Sequence, residues 1–297
     1  MSTVHDLIRT TRRRYLLGGG AEMRNKLAAP YTAGQGQLSF QYDLQGLQAG
    51  TLLSVGLNTF YVWSADSTSK TAVVSGGENG STDANADQGD TVWVSSRFAD
   101  LDVLNALNEE LMALSSPTVG LYQPKQMEFA FSSARDGYDL TGVTDLISII
   151  EVRYDLPDGR KMTPSLANGD YRLERAYTTD ENASTYSLKL FRGGYQGKNV
   201  TVVYRAPFSK FTTLEQDATV CGLPERALDI PPMGAALRLL LGREIRRNDP
   251  SVQGDTRRAE EVGAGAAAAS FRPLAAARAE RIGEEASILA SAYPLSA

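Results

Sequence analysis

Leu38-Ser39-Phe40-Gln41-Tyr42, Thr51-Leu52-Leu53-Ser54-Val55-Gly56, Phe60-Tyr61-Val62-Trp63, Thr71-Ala72-Val73-Val74 and Thr91-Val92-Trp93-Val94 follow one another with clusters of Gly, Asp and Ser between them. Apolar residues recur with a period of two, which places them on one face of a strand. Short runs of this kind, each closed by a turn, predict a curled sheet or small β-barrel with an apolar inner face.

After this stretch the period lengthens. Val103, Leu104, Leu107, Leu111 and Leu114 share one face of a helix over Phe98–Leu114, with Asp100 or Asp102 as its cap. Strand signals return at Met127–Phe131, Leu146–Asp155, Tyr171–Ala176, Tyr186–Leu190 and Val200–Tyr204, with turns between them. Their spacing predicts an antiparallel sandwich of jelly-roll type. Before the first sheet, residues 3–17 read as an amphipathic helix with Val4, Leu7, Ile8, Tyr15 and Leu16 on one side, stopped by Gly18, Gly19 and Gly20. A second short helical piece is expected before Pro30.

The last residues change texture. Asp229 is placed as an N-cap and Pro231 and Pro232 fit a first helical turn, and Met233, Ala236, Leu237, Leu240, Leu241 and Ile245 form one stripe. Arg238, Arg243, Arg246 and Arg247 lie opposite. A loop over Asn248–Ser270, containing Arg257 and Arg258, precedes a second stripe of Phe271, Leu274, Ala275, Ile282, Ala286, Leu289 and Tyr293, with Arg278 and Arg281 beside it. The whole reads as an α+β fold, mostly β. Residues 1–36 form an N-terminal helical segment, 37–116 a small β module plus helix, 117–210 the sandwich and 211–297 a helical docking segment.

The chain has 297 residues, 42% hydrophobic and 22% charged, enough for a normal core. No run approaches the roughly 18 apolar residues of a membrane helix. The opening Met1-Ser2-Thr3-Val4-His5-Asp6 lacks the apolar region of a secretory signal, so cytoplasmic synthesis is the expectation. One cysteine, Cys221, excludes an intrachain disulfide and reads as a small buried hydrophobe. One histidine, His5, leaves nothing from which to build a Ser-His-Asp or Cys-His apparatus, and no enzyme is expected.

Charge is unevenly spread. Residues 1–36 carry six basic and two acidic groups, residues 37–210 carry 14 and 21, and residues 222–297 carry ten of each. An acidic body argues against tight nucleic-acid binding, which needs clustered Lys and Arg. Arg12-Arg13-Arg14 reads as a solvated helix face.

Asp83-Ala84-Asn85-Ala86-Asp87-Gln88-Gly89-Asp90 resembles a calcium loop at first, but Gln88 and Val94 occupy the positions where an EF-hand needs Gly and Glu. It reads as an acidic turn, and no metal or cofactor is expected. Trp63, Trp93, Tyr171, Tyr186 and Tyr195 offer a sugar platform or, more in keeping with strand aromatics, core.

Two stretches carry a resemblance. Thr51-Leu-Leu-Ser-Val-Gly-Leu57, Tyr61-Val-Trp63, Ala72-Val-Val-Ser-Gly-Gly-Glu-Asn-Gly-Ser81 and Gln88-Gly-Asp-Thr-Val-Trp-Val94 resemble a strand-turn module recurrent in neck and tail proteins of tailed bacteriophages. Ser75-Gly76 and Gly80-Ser81 match its small-residue pairs loosely; its histidine is absent, with Asp87 near that place. Arg97-Phe98 and the helix to Leu114 follow the same pattern. Ile230-Pro-Pro-Met-Gly-Ala-Ala236, Gly242-Arg-Glu244, Arg247, Gln253-Gly-Asp255, Arg257-Arg-Ala-Glu-Glu-Val262 and Tyr293-Pro294 are similar to the ends of head-to-tail connector proteins of actinobacterial phages.

The resemblance implies a virion structural protein of the neck, assembled in the host cytoplasm. It would form a ring of about twelve copies between the portal and the next neck or tail protein. Genomic DNA would pass through the lumen without sequence-specific binding, and no membrane would be involved. Arg238, Arg243, Arg246, Arg247, Arg257, Arg258, Arg278 and Arg281 are then candidate contacts to carboxylates of neighbours. Another neck or tail ring, a stopper or terminator, and a carbohydrate-binding tail sandwich remain as alternatives.

Overall fold

The computed structural model describes residues 2–293 apart from 17–22, 45, 117, 136, 141–142, 144, 157, 159, 161–165, 167–168, 176–185, 192–193 and 248–265; for 175, 241–247 and 266–270 it describes the backbone alone. Among these residues the fold is α+β, with twelve strands and four α-helices. The chain forms two compact units, Met1–Glu110 with Lys210–Ala279, and Leu111–Ser209 with Glu280–Ala297.

The first unit opens with α1 (Val4–Thr11), whose start is fixed by a capping box. Thr3 Oγ1 accepts from the Asp6 N–H at 3.2 Å, and the Asp6 carboxylate accepts from the Thr3 N–H at 3.1 Å. Val4, Leu7 and Ile8 are buried as their spacing predicts. The expected single helix to residue 17 is corrected: a π-helical turn over Arg12–Leu16 follows α1, where Arg12 turns into the core. The proposed stop at Gly18–Gly20 lies outside the described residues.

Six strands make one antiparallel sheet: β1 (Arg24–Lys26), β2 (Gln37–Ser39), β3 (Leu52–Val55), β4 (Asn58–Asp66), β5 (Thr71–Gly76) and β6 (Thr91–Val94), in the order β1-β6-β3-β4-β5-β2. The sheet curls. Beyond β1 and β2 its edges are joined by a bridge between Leu27 and Phe40, with Ala28 N–H donating to Ser39 O and Gln41 N–H to Lys26 O, both at 2.9 Å. Leu38, Leu53, Phe60, Val62, Val74 and Val92 fill the inside. β1 corrects the expected helical piece before Pro30. Its strand conformation comes from pairing with Thr91, Val92 and Trp93, a tertiary contact that overrides local propensity.

Helix α2 (Asp100–Leu114) buries the predicted stripe from Val103 to Leu114. Helix α3 (Ile230–Arg247) has Pro231 and Pro232 in its first turn, as expected. Helix α4 (Ala266–Ala292) starts earlier than the sequence suggests. Residues 266–270 were expected to be loop; the alanine run Ala266–Ala269 carries strong helix propensity without any apolar stripe to announce it.

The second unit holds β7 (Gln123–Ala130), β8 (Tyr138–Asp139), β9 (Ser148–Tyr154), β10 (Tyr171–Arg175), β11 (Tyr186–Leu190) and β12 (Asn199–Ala206). They form two antiparallel sheets of three strands, β7-β12-β9 and β10-β11-β8. Val152, Val200, Val202 and Tyr204 of the first share one core with Tyr138 and Leu188 of the second. The two-residue β8 is too short to show a period and was not anticipated.

Candidate functional site

The carboxylate of Glu110 is the point on which the C-terminal helices of the first unit converge. Glu110 stands on α2 among Val103, Leu107 and Leu114 at helical spacing, and is 1% exposed. Arg238 of α3 donates through Nε to its Oε2 at 3.2 Å, and Arg278 of α4 donates through Nε to Oε1 at 2.6 Å, with a second nitrogen at 2.5 Å. Arg278 thus places two nitrogens on one carboxylate oxygen and leaves the other to Arg238, so both oxygens accept charge-assisted hydrogen bonds. Gly234 makes room: a Cβ there would stand 2.0 Å from Glu110 Cδ.

A second buried pair holds the N-terminal segment in the same unit. Arg12 Nη1 lies 2.8 Å from Asp100 Oδ1, with both side chains under 8% exposed. Its other terminal nitrogen donates to Ser96 Oγ at 3.2 Å and to the Phe98 carbonyl, and the guanidinium lies 5.0 Å from the Trp93 ring centre. The expectation of a solvated Arg12-Arg13-Arg14 face is therefore corrected for Arg12; Arg13 and Arg14 are exposed. Asp100, read as a possible cap, is the first residue of α2 and uses its carboxylate on Arg12.

Of the arginines singled out from sequence, Arg238 also approaches Glu109 at 3.7 Å, and Arg281 pairs with Glu284 and, at 3.4 Å, with Glu285. Arg238, Arg278 and Arg281 thus spend charge within the chain. Arg243, Arg246 and Arg247 lie on α3 with side chains outside the description, and Arg257 and Arg258 lie outside the described residues altogether. Glu110 was missed, although a glutamate falling on the Val103–Leu107–Leu114 stripe is a readable sign of a buried carboxylate needing a cation.

The acidic turn is a brace. Asp83 accepts from the Tyr31 hydroxyl at 3.1 and 3.2 Å and from the Gly34 N–H at 2.8 Å, while Asn85 Oδ1 accepts from the Ala33 N–H at 3.0 Å. Burial, then the Asp83 contact, pushes the Tyr31 phenol above its ordinary pKa. The aromatic set divides between the units: in the first, Trp63 is 59% exposed and edge-on to Tyr61 while Trp93 packs on Arg12, and Tyr171, Tyr186 and Tyr195 belong to the second. No helix among the described residues is long and apolar enough to cross a membrane, and no group of three or more His, Cys, Asp or Glu there suits a metal ion. No family model matches the chain, and no curated protein sequence matches it.

Proposed function

We propose that this chain is a structural subunit of the neck of a tailed bacteriophage, one member of a ring of about twelve copies that joins the portal to the tail. The observation that carries the reading is the union at Glu110 of the two stretches that resemble phage proteins. Glu110 belongs to the helix that follows the strand-turn module, and Arg238 and Arg278 belong to the connector-like C-terminal helices. A body with 21 acidic and 14 basic groups over residues 37–210 suits a channel wall that lets DNA slide rather than hold. The role is structural and uses no catalytic residue or cofactor. In this reading the curled sheet of the first unit is a small barrel and the second unit a sandwich of jelly-roll type.

Closed rings use heterologous contacts, so one subunit's basic surface meets another's acidic one. The arginine face of α3, with Arg243, Arg246 and Arg247, is assigned to that contact or to the portal. Purified chain mixed with the portal assembly of the same virus, sized by mass photometry and viewed by negative-stain electron microscopy, should give a ring stacked on the portal. A chain that never associates with portal, or that binds only tail tubes, contradicts the connector assignment.

A further inference from the structure

A cavity of about 600 Å³ opens on the second unit at the turns that follow β7 and precede β12. That size lies within the range of about 300–1,000 Å³ typical of small-ligand sites. Tyr138 is held rigidly in its wall: the ring stacks on Phe129 with centroids 4.5 Å apart, and the hydroxyl donates to Ser132 O at 2.9 Å and accepts from Ser132 N–H at 2.8 Å. Gln196 is fixed through its carbonyl, which accepts from the Ser133 N–H at 2.7 Å and hydroxyl at 3.1 Å, so its NH₂ remains the donor on offer.

Two charged groups complete the lining. Among the described residues Asp139 makes no ion pair and its buried Oδ1 accepts no hydrogen bond. Ser187, its register partner on β11, is 1% exposed and its hydroxyl is also without a partner among the described residues. Both oxygens lie below the accessible surface, so the cavity meets Asp139 through the rest of that residue. Arg135, on the exposed side of the cavity, makes no ion pair with a described residue either.

We propose that this cavity binds a saccharide. A ring bearing adjacent hydroxyls donates to a carboxylate and accepts from a guanidinium and an amide at once, while its C–H face lies against aromatic carbon. Asp139, Arg135 and Gln196 supply the polar elements, with one charge of each sign, and the half-buried Phe129, backed by the buried Tyr138, supplies the aromatic carbon. Tyr195, beside Gln196 in the chain, is 48% exposed and adds aromatic surface nearby. A free amino acid would match the two charges but leave the amide and the aromatic surface unused.

The test is titration calorimetry and saturation-transfer NMR on the full chain, with glucose, galactose, N-acetylglucosamine, rhamnose and glycine as probes, followed by a glycan array. At least one sugar should bind in the millimolar range or tighter. Arg135→Ala and Asp139→Asn should each weaken it about tenfold or more, the loss expected for a hydrogen bond to a charged group, and Arg160→Ala should leave it unchanged. If Asp139→Asn does not fold, Arg135→Ala decides alone. No sugar bound, binding that survives Arg135→Ala, or binding of glycine in place of every sugar overturns the assignment.

Discussion

Arg278 of α4 closes on Glu110 of α2 across 168 positions of chain, with its Nε 2.6 Å from Oε1. Arg238 takes the other oxygen at 3.2 Å, so one buried negative charge serves two guanidiniums. Such clusters add little over well-packed apolar side chains, but breaking one is costly because its remaining charges lose their partner. Glu110→Gln should lower folding stability by about 3 kcal/mol, or somewhat less because both arginines keep part of their hydration. Urea denaturation measures this, and an unchanged midpoint would mean that the two helices are held by other contacts.

Two helical glycines, Gly234 and Gly283, should respond with opposite signs. A Cβ at Gly234 would overlap the Glu110 side chain, whereas one at Gly283 meets nothing within 4 Å. Gly234→Ala should cost about 1–3 kcal/mol through overpacking, despite alanine's better helix propensity. Gly283→Ala should gain up to about 1 kcal/mol. Thermal melts of the two variants that moved the same way would contradict the packing described around Glu110.

Much of this arrangement was legible in the sequence, and the exceptions have physical causes. The stripe from Val103 to Leu114 and the alternation in β5 and β6 are local patterns, because one face of each element is buried. Arg24–Lys26 is too short to carry a period, and its strand state is imposed by β6. Nothing local separates Arg12 from Arg13 and Arg14; only Asp100, 88 positions away, decides which one turns inward. Glu110 was half legible, since its place on an apolar stripe shows that it is buried but not which cations reach it.

The Asp83 brace predicts indifference to chelators. Tyr31 and Gly34 already occupy the Asp83 carboxylate, and Ala33 occupies Asn85 Oδ1. EDTA at neutral pH should leave the melting temperature unchanged, while Asp83→Ala should lower it. A fall of several degrees on EDTA alone would show that this turn holds a cation.

Cys221 is fully buried, and that burial raises its thiol above the ordinary cysteine pKa. The folded chain should react with a thiol reagent at pH 8 only as fast as it opens, and rapidly once denatured. Prompt labelling of the native protein would contradict the packing around the 3₁₀ turn Ala218–Cys221.

If α3 docks a partner through its arginines as proposed, Arg246→Ala with Arg247→Ala should leave the melting curve of the isolated chain nearly unchanged, because an exposed charge contributes about 0 to 1 kcal/mol. At an interface, removing one partner of a desolvated pair costs about 2 to 5 kcal/mol. The double variant should therefore yield filled heads without tails. Normal infectious particles would remove these arginines from the docking face.

Cryo-electron microscopy of the virion that carries this protein tests the neck assignment most directly. The chain should be found as a ring at the head–tail junction, with its C-terminal helices against the portal and DNA or an open channel on its axis. Density for the chain at the tail tip or on the capsid surface, or its absence from purified particles, would contradict that role.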